Sequence, residues 1–394
     1  MKILLVHNSY GIQAGEESLV NKAQRLLEEK GHHVVPFFRS SEEINEMMFG
    51  KTRAFFSGMY SWSSRKAVLK ILKLHRPDVA FVHNVFPFIS PSVLVECRRA
   101  GVPVIMSVNN YRLICPNGLF LTKGRTCEKC AGGHEYWCVL RNCEQDILKS
   151  VGYALRNTVA RWLRLFIDNV AIYVVFTEFQ HQKLIADGFP SEKIFVIPNV
   201  VNCKGLRNVT DKGEYVGHVG RISPEKGISV LVEAARRCPE IPFRTTGSPA
   251  RMPHLVHEAP DNFEFAGFID DHELEAFYVR SRFIVIPTLC YEGFPTVCAE
   301  AMMSGKAVIV SHIGGMTEII EDRVTGLLFE PGNASDLAEK IRYLWDRPGL
   351  CHEMGQAGHA KALREYSAEK YYERLIRVFE KAINLGPGGP NLNS

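Results

Sequence analysis

Short apolar runs alternate with amphipathic stretches along the whole chain. Residues 2–7 read as a buried strand. Residues 16–30 read as a helix, with Leu19, Ala23, Leu26 and Leu27 on one face. Gly31 stops that helix, and 33–38 is the next strand. Further buried-strand candidates fall at 79–83, 103–108, 171–176 and 194–197. The pattern then restarts at 214–219, followed by a helix over 228–238 and strands near 243–246, 263–265, 283–287 and 307–310. Strands separated by helix-length amphipathic segments predict parallel sheets, so the fold class is α/β with two Rossmann-like domains.

The restart sets the domain boundaries. A first domain covers 1–200 and carries a cysteine-rich insertion at 115–143. A polar linker with two glycines occupies 201–213, and a second domain covers 214–365. A helix at 366–386 is expected to pack back on the first domain, and the Pro/Gly/Asn tail 387–394 to be disordered. With 394 residues, each half is long enough to bury its own core. Lys and Arg number 47 against 43 Asp and Glu, and a net charge of +4 gives no argument for nucleic acid. Only four apolar residues, Ile3 to Val6, follow Met1-Lys2, which is too few for a secretory signal. The run 170–176 is far short of the roughly 20 residues that span a bilayer. A cytoplasmic protein is expected.

Chemistry is densest in the second half. The stretch Gly220-Arg221-Ile222-Ser223-Pro224-Glu225-Lys226-Gly227 follows a strand and opens a helix. Free N–H groups and the positive dipole end at a helix start add to two cations, which suits a diphosphate. A plain strand-to-helix turn with solvated charges has the same spacing. Next comes Glu292-Gly293-Phe294-Pro295-Thr296-Val297-Cys298-Ala299-Glu300, with Glu292 in a loop and Glu300 inside a helix beginning near Pro295. Carboxylates accept hydrogen bonds from sugar hydroxyls.

In order, spacing and flanks the two motifs resemble the family 4 retaining glycosyltransferases of the GT-B fold. The resemblance continues through 301–311, 314–320 and 325–329 and extends over nearly the whole chain. It implies two Rossmann-like domains facing each other across a cleft, and transfer of a sugar from a nucleotide-diphosphate donor without a catalytic metal. By the same resemblance Arg221 and Lys226 hold the diphosphate and Glu300 accepts the ribose hydroxyls. Glu292, with Gly293, Phe294 and Pro295, holds the donor sugar. The acceptor is then a glycan or lipid-linked hydroxyl, commonly in bacterial polysaccharide or glycoconjugate assembly.

In the first half, the loop after the first strand ends at Gly15-Glu16, where a glycine would let backbone N–H groups approach a phosphate. Relatives contact the diphosphate from this loop, and Glu16 is placed on the acceptor side. The segment Ser107-Val108-Asn109-Asn110-Tyr111 follows the strand at 103–108, so Asn109 should face the site, with Tyr111 beside it. Relatives usually carry His at Asn109. An amide cannot carry a proton near neutral pH, so transfer is expected to be slow and Asn109→His to raise it. His7 and His83 also end strands and are acceptor-side candidates. Loss of transfer at Asn109 would leave a sugar-nucleotide-binding protein, the second reading. An NAD-dependent oxidoreductase is remote, because the chain offers Gly11-x-x-x-Gly15 and Arg39 where that class needs G-x-G-x-x-G and an acidic residue.

The insertion holds Cys115, Cys127, Cys130, Cys138 and Cys143. Cys127-x-x-Cys130 has zinc-knuckle spacing, and Cys143 with Cys115 or Cys138 would complete a structural zinc site. Reduced thiols with a chance C-x-x-C are the plain alternative. Residues 145–168 are amphipathic and basic, with Arg156, Arg161 and Arg164 beside Leu155, Trp162, Leu163, Leu165 and Phe166. The first expectation there is a core-packing helix with a solvated basic side. The second is peripheral contact with the inner membrane face near a lipid-linked acceptor.

Overall fold

A computed structural model of the chain describes residues 1–9, 15–43, 57–201 and 213–387, without the side chains of 271 and 272. The residues of the first loop around Gly11, nearly all of the linker and the tail lie outside the described residues. The chain forms two compact units. One comprises Met1–Gly118, Glu128–Val200 and Ala368–Ser394, and the other Leu119–Cys127 and Val201–Ser367.

The first unit runs β1 (Lys2–Ser9), α1 (Gly15–Glu29), β2 (His33–Ser40), α2 (Trp62–His75), β3 (Val79–Val82), α3 (Ser92–Arg99) and β4 (Val104–Ser107). After a short hairpin, β5 (Leu121–Thr122) and β6 (Arg125–Thr126), which clusters with the second unit, come α4 (Tyr136–Leu140) and α5 (Ile147–Trp162). β7 (Ile172–Val175), α6 (Glu178–Ala186) and β8 (Ile194–Val196) complete this stretch. The six long-range strands pair in parallel in the order β2-β1-β3-β4-β7-β8. Helices cover both faces of such a sheet, which is why its strands are nearly unbroken apolar runs. Ile3 to Val6, Val79 to Val82 and Ile172 to Val175 are all buried. Because the hairpin goes with the other unit, the cysteine-rich insertion expected at 115–143 of the first domain is divided, and Cys127 falls in the second unit.

α5 corrects another expectation. Its buried face is Ser150, Ala154, Arg156, Asn157 and Ala160, while Leu148, Val151, Leu155 and Trp162 are exposed. The Arg156 guanidinium donates to the carbonyl of Pro116 and to Asn157 Oδ1, and lies 4.0 Å from the Phe86 ring centroid. A guanidinium satisfied by hydrogen bonds and an aromatic face tolerates burial, so Arg156 turns inward, whereas Arg164 just beyond the helix stays more than half exposed.

The second unit runs β9 (Tyr215–His218), α7 (Ile228–Arg237), β10 (Phe243–Thr245), β11 (Phe263–Phe265), α8 (Asp271–Arg280), β12 (Ser281–Ile286), α9 (Thr296–Met303), β13 (Val308–Ser311), β14 (Gly326–Phe329), α10 (Ala334–Trp345) and α11 (Pro348–Tyr366). Its parallel order is β11-β10-β9-β12-β13-β14. This is the doubly wound arrangement whose strand order reverses between its first and fourth strands, here β9 and β12. α7 and α10 pack Leu231, Val232, Ala235, Leu337 and Ile341 into one core with Val216, Phe243 and Phe283. The last helix, α12 (Ala368–Leu385), returns to the first unit. There Phe379 meets Phe81 edge-on at 5.2 Å, and Tyr372 shares a hydrogen bond with His32.

Candidate functional site

In doubly wound sheets, ligands bind beyond the strands' carboxyl ends at the reversal of strand order. In the second unit this point lies between the loops leaving β9 and β12, which carry the two sequence motifs. The loop after β9 passes through a 3-10 turn, Pro224–Lys226, and enters α7 at Gly227 with φ +71°. A Cβ on Gly227 would sit 1.8 Å from the Pro287 carbonyl oxygen. Glycine therefore lets the loop press against the end of β12, and the Leu289 N–H donates to the Glu225 carbonyl at 2.9 Å.

This approach brings Lys226 to Glu292. The ammonium donates to Glu292 Oε1 at 2.6 Å, and the Thr288 hydroxyl donates to the same oxygen at 2.9 Å. Burial works against both charges. For Lys226 the facing carboxylate outweighs burial and leaves its pKa raised. For Glu292, Lys226 outweighs burial and leaves its pKa lowered, with Thr288 helping. The pair is thus ionised at neutral pH. Arg221 is about half exposed and lies 3.6 Å from Glu225. Ser223 in the same turn is fully buried, and its hydroxyl has no hydrogen-bond partner among the described residues. Pro295 immediately precedes α9, Phe294 packs edge-on against Tyr366 of α11, and Glu300 inside α9 accepts from the Tyr278 hydroxyl at 3.2 Å. Burial and the Glu300 carboxylate push the Tyr278 phenol well up, so it stays a donor. Beneath this site His218 shares a 2.8 Å hydrogen bond with Thr245 and is held down to about 4 by burial and then by Lys226.

In the first unit the reversal lies between β1 and β3. His7 and His83 stand there with rings 6.3 Å apart. Both are buried, and neither His7 nitrogen nor His83 Nε2 has a hydrogen-bond partner among the described residues. Burial lowers His7 to about 4. Burial, then His7, lowers His83 to about 3, so both imidazoles are neutral at pH 7. His83, Met106, Asn109, Asn110 and Arg112 line one small cavity. Asn109 is held from two ends. Its Oδ1 accepts from the Ser107 hydroxyl at 2.8 Å, and its Nδ2 donates to Glu16 Oε1 at 2.9 Å and lies 3.4 Å from His83 Nδ1. Gly15 is the first residue of α1, and a Cβ there would meet nothing within 4 Å among the described residues. Tyr111 is buried, with its ring edge-on to Phe179.

Several of these participants had no separate role in the sequence. Thr288 was traceable, lying four residues before Glu292. Tyr278 and Ser107 carried no local sign, because their partners come from the packing of helix on sheet and of adjacent strand ends.

Of the five insertion cysteines, the structure groups Cys115, Cys130, Cys138 and Cys143 in the first unit. The Cys130 thiol hydrogen-bonds that of Cys115, and the Cys138 thiol that of Cys143. These contacts and burial push the Cys130 and Cys138 thiols well above the ordinary range. Cys127 is assigned to the other unit, its N–H donating to the Phe120 carbonyl at 2.7 Å. Among the described residues, no three His, Cys, Asp or Glu side chains already form a metal cage, and no helix is long and apolar enough to cross a membrane.

Comparison with known proteins agrees with this layout. Residues 207–361 match the family model for glycosyl transferases group 1, and residues 15–204 match that for glycosyltransferase family 4. The chain is 28% identical over 219 residues to the poly(ribitol-phosphate) alpha-N-acetylglucosaminyltransferase of Staphylococcus aureus, covering 52% of this chain and 43% of that protein. It is 28% identical over 237 residues to an amylovoran biosynthesis glycosyltransferase of Erwinia amylovora, covering 55% and 58%. The matches thus span about half the length of these curated relatives. Sucrose-phosphate synthase from Thermosynechococcus elongatus shares the fold at 18% identity, with a TM-score of 0.76 over 97% of this chain and 99% of that one. Anabaena HepE, solved with UDP and glucose, does so at 18% identity and a TM-score of 0.68 over 96% and 99%. These structures are of the GT-B class.

Proposed function

The chain belongs to the group 1 glycosyltransferases, with a family 4 amino-terminal half, and we propose that it transfers a sugar, with retention, from a nucleotide-diphosphate donor to a hydroxyl of a glycan or lipid-linked acceptor. The setting would be polysaccharide or glycoconjugate assembly. The observation that carries the reading is the Lys226–Glu292 pair at the strand-order reversal of the second sheet, with Arg221 and the Ser223 hydroxyl, which has no partner among the described residues, in the same loop.

In this reading the donor lies on the second unit. Arg221 and Lys226 take the diphosphate and stabilise the charge that grows on it as the sugar departs. That cationic provision is the reason to expect transfer without a divalent ion. Glu292 turns from Lys226 toward the donor sugar. Glu300, which accepts from Tyr278, would also receive the ribose hydroxyls. Retention requires the diphosphate and the incoming hydroxyl to occupy one face of the sugar. The departing phosphate oxygen is then close enough to take the acceptor proton, and the protein's main contribution is positioning.

The first unit would supply the acceptor side. Asn109, fixed by Ser107, presents its amide N–H to Glu16, and His83 and His7 offer neutral imidazoles with ring nitrogens that have no partner among the described residues. This arrangement favours a native amide over an inactivated imidazole site, and so an enzyme over a binding protein. The exposed Leu148, Val151, Leu155 and Trp162 of α5 favour an acceptor met at a lipid surface.

The direct test is a panel of UDP-, GDP- and ADP-sugars, measured for binding by calorimetry and for turnover with lipid-linked and soluble acceptors, with and without EDTA. Binding without turnover on any acceptor would support the binding-protein reading. Turnover abolished by EDTA and restored by magnesium or manganese would remove metal independence.

A further inference from the structure

We propose that Cys115, Cys130, Cys138 and Cys143 form a structural zinc site that ties the insertion to the first unit. The four come from four places in the chain. Cys115 lies in the loop that leaves β4, Cys130 in the turn before α4, Cys138 within α4 and Cys143 just after it. The fold brings their sulfurs into two touching pairs, Cys130 with Cys115 and Cys138 with Cys143. Cys130, Cys138 and Ala154 of α5 form one small buried cluster, with Cys143 packed against it. Cys115, Cys130 and Cys138 are each at most 6% exposed.

Four thiols collected in one patch, three of them buried, are the donor set of a closed structural zinc site. The backbone supports the grouping. The Cys143 N–H donates to the Cys138 carbonyl at 3.1 Å, holding the short turn that returns Cys143 to its partner. The apolar content of the cluster is otherwise slight, so a metal would add much to its order. The thiols stand as two hydrogen-bonded pairs and not as a finished cage. Binding therefore draws the pairs together around the ion. Four S–H bonds break, four zinc–sulfur bonds form, four protons leave to solvent, and no atom changes oxidation state.

The insertion has other anchors. Arg161 binds Glu135 at 2.8 Å and Asp187 at 2.6 Å, and the Gly132 N–H donates to Asp187 at 2.7 Å. Loss of the metal is therefore expected to loosen the segment locally and leave the rest of the unit folded.

The experiment is elemental analysis of the full chain purified from zinc-replete cells without chelator, followed by exchange with cobalt(II). About one zinc per chain is expected, because four thiolates fill one tetrahedral ion. The cobalt form should show sulfur-to-cobalt charge transfer in the near ultraviolet and the strong visible bands of tetrahedral geometry. Cys130→Ser and Cys138→Ser should lose both signals, whereas Cys127→Ser should keep them. A metal-free wild-type protein whose thiols all titrate as free, or mass spectrometry showing Cys115–Cys130 and Cys138–Cys143 disulfides, would overturn the proposal. So would loss of metal in Cys127→Ser, which would break this choice of four. The wild-type measurements decide the matter even if a serine variant fails to accumulate.

Discussion

Glu292→Gln should tighten the binding of the free nucleoside diphosphate while lowering transfer. Without donor, the Lys226 ammonium is held by Glu292 at 2.6 Å. A diphosphate that takes Lys226 must first draw it from that carboxylate. At an effective dielectric near 20, unit charges in such contact attract by about 4–6 kcal/mol. Lys226 is about a quarter exposed and Glu292 about a seventh, so solvent and desolvation leave roughly 1–2 kcal/mol as the net worth of the pair. The glutamine keeps an oxygen for Lys226 and for Thr288 but removes the charge. Affinity for UDP, GDP or ADP, whichever the wild type binds, should rise about tenfold, equivalent to about 1.4 kcal/mol. Turnover should fall, because the donor sugar loses its carboxylate. The nucleotide-free variant should melt earlier than wild type, since a largely buried ammonium has lost its counter-charge, and nucleotide should restore more than the usual increment. Calorimetry gives the affinities and a thermal melt with and without nucleotide gives the stabilities. Arg221→Ala serves as the opposite control and should weaken nucleotide by about 1.5–3 kcal/mol, as for a lost charged hydrogen bond. If Glu292→Gln binds nucleotide as weakly as wild type or more weakly, Lys226 does not meet the diphosphate and the donor assignment fails.

Three other outcomes are expected. Asn109→His should lower turnover by roughly 10- to 100-fold with little change in nucleotide affinity, because the ring cannot both accept from Ser107 and donate to Glu16 in the amide's geometry; a rise in turnover would restore the reading of Asn109 as a lost imidazole. His7 and His218, each held down to about 4 from 6.5, favour the fold in their neutral forms. Their contribution is complete above about pH 6.5 and is lost as pH falls toward 4, at about 3 kcal/mol each. Urea melts of wild type and of His218→Gln between pH 7 and 4.5 should converge as pH drops, and parallel curves would contradict the neutral buried imidazole. Trp162→Ser with Leu148→Ser should reduce co-sedimentation with anionic phospholipid vesicles and spare turnover on a soluble acceptor, since Leu148 is 75% and Trp162 81% exposed; equal sedimentation of variant and wild type would remove the lipid surface from the account.

Much of the architecture is determined by the sequence alone, for a physical reason. A parallel sheet buries its strands on both faces, so each strand is a run of apolar residues that stands out against the amphipathic helices around it. Ile3–Val6, Val79–Val82 and Val308–Val310 are such runs, and the loops after them can be located by counting. That places Arg221, Lys226, Glu292, Asn109 and His83 beyond strand ends before any coordinates are known. The tertiary structure alone decided which of these groups meet. Lys226 and Glu292 are 66 residues apart and Asn109 and Glu16 are 93 apart, and such pairings depend on strand order, which has no local signature. The same holds for the cysteines. C-x-x-C spacing pointed to Cys127 with Cys130, but the Cys115 thiol that Cys130 hydrogen-bonds lies fifteen residues away and carries no local spacing signal. On α5 the amphipathic pattern was legible but its orientation was not. The inward face was decided by Arg156, whose guanidinium found a carbonyl, an amide and an aromatic ring, and periodicity alone cannot tell a cation that will be satisfied inside from one that must remain in water.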